Sequence, residues 1–347
     1  MTADHASAPA RDDQRLAWAR TATGHADLGL ARASMDAGFR SYWRTLGPDP
    51  SRIVMDSPPD KEDVRPWLRI RAVLEAAGVR VPQVLAEDTG NGFLLLEDLG
   101  ADTYLHVIHA DNADALFDDA ITQLLRLQAA PVPDDLPAYD EALLQREVRL
   151  FDEWYLGRHL ALVLDDADRK RLERVHRVLI DAALAQPQVL VHRDFMPRNL
   201  MPASDGPAVL DFQDAVKGPI AYDPTCLFKD AFLSWPVDRI HAWLDRYHAR
   251  AAEAGLPVPS LERFRRDADL IGVHRHLKVI GIFARLHHRD AKPKYLQDVP
   301  RFFAYLDDVL PKYPELAPLA ELIATRVKPA IKEYGHWTES TGDDSTR

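Results

Sequence analysis

Three polar residues close together in the chain have the types and spacing for phosphoryl transfer. Asp194 and Asn199 lie in Val189-Leu190-Val191-His192-Arg193-Asp194-Phe195-Met196-Pro197-Arg198-Asn199-Leu200-Met201, and Asp211 ends the run Ala208-Val209-Leu210-Asp211-Phe212. Transfer of a phosphoryl group asks a protein mainly for positioning and for neutralisation of negative charge. An Asp on a loop accepts the acceptor hydroxyl's proton, an Asn five residues further on holds Mg²⁺, and a second Asp holds metal against the nucleotide phosphates. Carboxylate and amide oxygens are the ligands a hard divalent cation prefers. Asp and Asn are also ordinary turn formers, but that reading must account for three coincidences at once.

The elements around these residues must bring them together. The stretch reads as an apolar strand, a polar loop, a second strand, a turn and a third strand ending in the acid. Upstream, Asp12 to Thr23 forms a short helix, and Leu28–Ala33, Phe39–Leu46 and Arg52–Met55 read as strands. The turn between the first two carries Gly38, whose backbone amide is a candidate for facing an anion; a plain β-hairpin accounts for it equally well. Lys61 to Ala77 is helical and stopped by Gly78. Val81–Leu85 and Gly92–Leu96 are two further strands joined by a Gly-rich turn. After Glu97-Asp98-Leu99-Gly100 the texture turns helical, with Leu116, Phe117, Ile121, Leu124 and Leu125 on one face. The expected division is residues 1–99, a β-rich lobe with an N-terminal helix, and 100–347, a helical lobe carrying the catalytic loop.

Composition excludes several classes. The 347 residues carry 46% hydrophobic and 28% charged side chains, as a globular chain does. A net charge of −11 argues against a nucleic-acid partner, which needs a basic footprint. The lone Cys226 gives no disulfide framework and fits a reducing compartment. No run has the length of a membrane span and no apolar leader follows Met1, so the expectation is a cytoplasmic protein without a membrane partner.

Other residues carry weaker signals. Arg275, Lys278 and Arg285 fall near one face of a helix whose other face holds Leu277, Ile280 and Phe283. In an acidic protein this basic stripe suits an anionic ligand, although cations late in a helix also complement its dipole. His276 reads as a packing residue. Trp154 has the surface to stack on a sugar ring, but aromatic residues at helical spacing are usually core. Arg198, inside the catalytic loop, is a further candidate for substrate contact. Asp223 before Pro224 reads as a helix N-cap.

Taken together, the segment 189–232 and the segment 271–301 resemble the aminoglycoside phosphotransferase-like family of small-molecule kinases, over about Leu28 to Arg326. The resemblance implies an α+β, protein-kinase-like two-lobed fold. It also implies transfer of the γ-phosphate of ATP to a small alcohol with Mg²⁺. On that basis Asp194 is the base, Asn199 and Asp211 are metal ligands, and Glu97 to Leu99 is the hinge presenting backbone hydrogen bonds to adenine. The stretch His192–Met201 with Leu210–Ala215, and the stretch Arg275–Leu286, are most similar to sugar kinases of bacterial cell-wall recycling. Those enzymes phosphorylate the anomeric hydroxyl of the amino sugars N-acetylmuramate and N-acetylglucosamine, and the lactyl carboxylate of the former suits the basic stripe.

The sequence departs from the kinase pattern in places. The strand expected to hold the phosphate-binding lysine reads Ile53-Val54-Met55-Asp56. Arg40 or Arg44 on the preceding strand is the candidate substitute, and either Glu62 or Glu75 its acidic partner. Asp-Phe-Gln replaces Asp-Phe-Gly and no Ala-Pro-Glu follows, which fits a constitutively assembled small-molecule site. Rival readings are an aminoglycoside, choline or homoserine kinase, a silent kinase-like binding module, and a metal-dependent hydrolase.

Overall fold

The computed structural model describes residues 10–34, 39–47 and 50–331. Gly38 lies outside the described residues. The chain divides into two compact units, Met1–Ala110 with Arg198–Gln213, and Asp111–Pro197 with Asp214–Arg347. The division falls at Ala110, where the expectation placed it at 99, and the segment after Pro197 returns to the first unit.

The first unit opens with α1 (Arg11–Thr23), ended by Gly24 at φ +74°. An antiparallel sheet follows, made of β1 (Gly29–Ser34), β2 (Ser41–Leu46), β3 (Arg52–Asp56), β4 (Val84–Asp88) and β5 (Phe93–Glu97), in the order β1-β2-β3-β5-β4. Val54 pairs with Leu95 across β3 and β5, and both pack with Ala19 and Leu28 in a core flanked by Trp18 and Trp43. Gly92, at φ +71°, is required: a Cβ there would sit 1.9 Å from the Ser57 carbonyl oxygen.

The helix expected from Lys61 begins later, as α2 (Arg65–Ala76). Pro66 explains the shift, since proline fits the first turn of a helix but breaks its interior. A short α3 (Tyr104–Val107) follows, and the strand pair β7 (Leu200–Met201) and β8 (Ala208–Val209) completes the unit; β6 belongs to the other unit.

One ion cluster anchors α1. The Asp56 carboxylate at the end of β3 accepts from Arg11 (2.6 Å) and Arg15 (2.9 Å), while the Arg15 guanidinium lies 3.7 Å from the Trp43 ring centre. Asp56 and Arg15 are both buried. Removing one partner of a buried pair strands the other charge. Asp56→Ala is therefore expected to lose about 3 kcal/mol in urea unfolding; an unchanged midpoint would show that α1 is held by its apolar contacts alone.

The second unit contains α4 (Ala113–Ala129), α5 (Glu141–Leu150), α6 (Asp166–Leu184), β6 (Gln188–Val191), β9 (Val216–Pro219), α7 (Tyr222–Phe228), α8 (Val237–Glu253), α9 (Leu261–Asp290) and α10 (Val299–Val309). Helix α5 runs directly into a π-helical segment, Phe151–His159. The 30-residue α9 is the central element, and every residue from Asp267 to Lys278 is buried. Gly281 makes its closest approach possible: a Cβ there would lie 2.3 Å from the Leu150 backbone. Strand β6 pairs with β9, which the sequence reading had not separated from the loop before it. Among the described residues, no helix is long and apolar enough to cross a membrane.

Candidate active site

Asp194 belongs to the second unit. It follows β6, and the backbone before it is pinned from several sides. The Asp223 carboxylate accepts from the N–H groups of His192 (2.8 Å) and Arg193 (2.9 Å), and the Cys226 thiol meets the Arg193 carbonyl at 3.4 Å. Arg193 sits at φ +76°, an uncommon backbone for a residue with a side chain, and such strain persists only where the surroundings over-determine it. The Asp194 N–H then donates to His192 Nδ1 at 3.2 Å, which assigns the ring proton to Nε2.

These contacts correct the reading of Asp223. It is not the N-cap of α7, a position taken by Ala221; it lies in the first turn, buried, with its carboxylate turned to the catalytic loop. Burial pushes its pKa up to about 6, against the pull of His192 and of the two amides.

A buried ionic network stands behind this loop. Glu147 on α5 bonds to Lys278 (3.0 Å), to the Arg193 guanidinium and to the Tyr139 hydroxyl. Lys278 also donates to the Tyr222 hydroxyl at 3.1 Å. Burial works against ionisation of Glu147, but Lys278 and Arg193 outweigh it and hold the carboxyl at about 2. Lys278, Arg275 and Arg193 all feel the charge of Asp194.

The expected basic stripe on α9 is thereby corrected. Arg275 and Lys278 are interior, because α9 is covered on all sides along this stretch, and Arg275 donates to the Lys229 carbonyl at 3.1 Å. Only Arg285 is partly exposed. His276 stacks on Tyr305 with ring centres 4.9 Å apart, as a packing residue does. Trp154 is half-buried in the π-helical segment, with the Arg158 guanidinium 4.7 Å from its ring centre.

Asn199, Asp211 and Arg198 belong to the first unit. Pairing of β7 with β8, and the bond from Leu210 N–H to the Asn199 carbonyl (2.9 Å), place Asn199 beside the approach to Asp211. Asp211 adopts φ +61°, a left-handed turn that Asp tolerates, and its carboxylate accepts from the Gln213 amide at 2.8 Å. Phe212 is fully buried against Trp67 of α2, which fixes where the strand end stops. Arg198 is exposed.

The first unit also separates Arg40 from Arg44. Arg40 is buried, with Nε 3.3 Å from Glu62 and Nη2 3.6 Å from Asp211. Arg44 instead grips Asp98 with two bonds (2.6 and 3.0 Å) and donates to the Gly100 carbonyl at 2.7 Å. Burial would raise the Asp98 pKa, but Arg44, Ser51 and the Gly100 amide hold it below the ordinary value.

The acidic partner is Glu62, held in the turn before α2 by the bond from its N–H to the Pro58 carbonyl at 3.0 Å. Glu75 is taken by Arg71 four residues away. Glu97 closes β5, its side chain bonded to Arg80 and to the Gln83 N–H. Leu99 makes no backbone hydrogen bond to any described residue.

The first unit thus holds a buried cation, Arg40, between Glu62 and Asp211, with Asn199 just before β7 and Asp211 just after β8, and the second unit holds Asp194 on a pinned loop after β6. The chain belongs to the phosphotransferase enzyme family, which it matches over residues 29–252. It is 56% identical over 309 residues to an N-acetylmuramate/N-acetylglucosamine kinase of Pseudomonas putida, covering 89% of this chain and 90% of that protein. A kinase of the same description from Pseudomonas aeruginosa is 56% identical over 297 residues, covering 85% and 88%. In fold the chain is similar to an ethanolamine kinase of Plasmodium vivax, with a TM-score of 0.62 at 10% identity over 91% of this chain and 94% of that one.

Proposed function

We propose that this phosphotransferase moves the γ-phosphate of ATP to the anomeric C1 hydroxyl of N-acetylmuramate and N-acetylglucosamine, giving the sugar 1-phosphate for re-use in cell-wall synthesis in the cytoplasm. The observation that carries the substrate is the 56% identity to the two pseudomonad kinases over most of both chains.

In this reading Asp194 takes the C1 hydroxyl proton and the oxygen attacks the γ-phosphorus, whose bond to the bridging oxygen breaks so that ADP leaves. Asn199 and Asp211 hold Mg²⁺; their donor set of amide and carboxylate oxygen fits that cation. The metal, when bound, neutralises charge on the phosphates. Arg40 supplies the phosphate-facing cation in place of the absent lysine, supported by its position between Glu62 and Asp211. The backbone groups of Leu99, two residues beyond Glu97 and unbonded among the described residues, suit the edge of adenine. Arg275 and Lys278 act behind Asp194 as supports. Arg198 and Trp154 remain the proposed sugar contacts.

A coupled ADP-release assay with Mg-ATP tests the substrate against N-acetylmuramate, N-acetylglucosamine, glucose, kanamycin, choline, homoserine and no acceptor. Turnover confined to the N-acetylated sugars, with a product that has lost its reducing end, is expected. Turnover on kanamycin or choline alone would discard the sugar.

The two arginines divide in a second test. Arg40→Ala is expected to raise the nucleotide KM and to cut turnover by roughly 10²-fold, the scale of losing one preorganised charge contact. Arg44→Ala should chiefly loosen the 98–100 turn and change KM more than kcat. Equal effects would remove Arg40 from the phosphate role.

A further inference from the structure

Outside the proposed catalytic set, three histidines converge in the second unit. His159 ends the π-helical segment, and His287 and His288 lie in the last turn of α9. One ring nitrogen from each lies within 4.8 Å of the other two. We propose that His159, His287 and His288 form a binding site for a borderline transition-metal dication such as Zn²⁺, separate from the Mg²⁺ ligands, that ties the end of α9 to the π-helical segment.

The spacing matches the chemistry. Tetrahedral zinc with nitrogen ligands at 2.0–2.1 Å sets neighbouring donor atoms about 3.3 Å apart. His159 Nδ1 and His288 Nε2 are 3.3 Å apart. That is longer than a usual hydrogen bond between nitrogen and its acceptor. Consecutive residues on a helix start about 100° apart, yet the His287 and His288 rings come together, with centres 4.5 Å apart and planes at 69°.

The surroundings support a cation rather than a packing role. His287 Nδ1 is buried and has no hydrogen-bond partner, a cost that ligation or a proton acceptor would remove. No carboxylate pairs with any of the three rings among the described residues. The carbonyl end of α9 carries partial negative charge. Of the nearby cations, Arg289 is neutralised by Asp290 at 2.8 Å and Arg158 lies over Trp154. Burial, then His288 and His287, lowers the pKa of His159, and burial, then His287 and Arg158, lowers that of His288. Three imidazoles leave a fourth position for water, and they select Zn²⁺ or Co²⁺ over Mg²⁺.

The test uses full-length protein without a histidine tag, stripped with chelator and titrated with Co²⁺ alone and then Zn²⁺. One Co²⁺ per chain is expected, with the visible absorption of a four- or five-coordinate nitrogen site, bleached by Zn²⁺ and unaffected by millimolar Mg²⁺. His159→Gln and His288→Gln should lose the band, while His25→Gln, at an exposed residue of the first unit, keeps it. Zn²⁺ should raise the thermal midpoint of the wild type and not of the two variants. Absence of a stoichiometric Co²⁺ band in the wild type would overturn the proposal without reference to any variant, and so would a band that survives both substitutions.

Discussion

Asp194→Asn is expected to lower turnover by roughly 10³-fold, within the 10²–10⁴ range that a positioned general base contributes. Asparagine keeps the shape of the side chain but cannot accept the acceptor hydroxyl's proton. The backbone arrangement should persist, because the bonds that pin it run from the amides of His192 and Arg193 to Asp223 and from the Asp194 amide to His192, none of them through the Asp194 carboxylate. Nucleotide binding, measured by equilibrium titration, should stay near that of the wild type. Loss of turnover with loss of binding would instead mean that Asp194 holds the metal–nucleotide complex. Near-wild-type turnover would remove it from the chemistry.

The second large effect is on stability. Glu147 is buried, and its carboxylate is the counter-charge to both Lys278 and Arg193. Glu147→Gln removes the carboxylate bonded to two cations inside the second unit, and breaking a buried pair in this way costs about 3–5 kcal/mol. Urea unfolding reads this directly. Adding Lys278→Met should recover part of the loss, because the stranded charge goes with it. A single variant within about 0.5 kcal/mol of the wild type would show the network to be energetically neutral.

The same carboxylate sets an acid limit. Its pKa lies below the ordinary 4.5, at about 2. The folded state therefore binds this proton less readily than the unfolded chain. The stabilisation is fully present above pH 4.5 and is lost as the pH falls from there through 2. It amounts to about 3 kcal/mol across that window. In Glu147→Gln that part of the stability–pH curve should flatten, since glutamine does not titrate.

The two effects are linked through Arg193. Its guanidinium belongs to the Glu147 network, while its strained backbone carries the residue before the base. Loss of Glu147 is thus expected to lower kcat as well as stability. The amount by which Lys278→Met restores activity separates repair of the fold from repair of the loop.

Much of the candidate site was legible along the chain because its parts are local. Asp194, Asn199 and Asp211 fall within 18 residues, between apolar strands whose period and turn residues mark them. The strands could be anticipated from alternating runs and turns but not their order, in which β5 rather than β4 pairs with β3, and the start of α2 only by respecting Pro66. Arg40 could be proposed from the missing lysine, but not chosen over Arg44. That choice needed the tertiary structure, because Glu62 and Asp211 lie 22 and 171 residues further along the chain.

The sequence by itself put the chemistry on offer: a carboxylate suited to a base, and an amide and a second carboxylate suited to a hard cation. The tertiary structure decided which charges are free to serve it. Arg275 and Lys278 read as an amphipathic stripe, since periodicity reports only two faces of a helix. They became interior supports because α9 is covered all round. Asp223 reads as a cap from its neighbour Pro224, yet burial and two amides from 30 and 31 residues away give it the catalytic loop. Local pattern predicts local structure, whereas the partner of a buried charge is set by packing between segments distant in sequence.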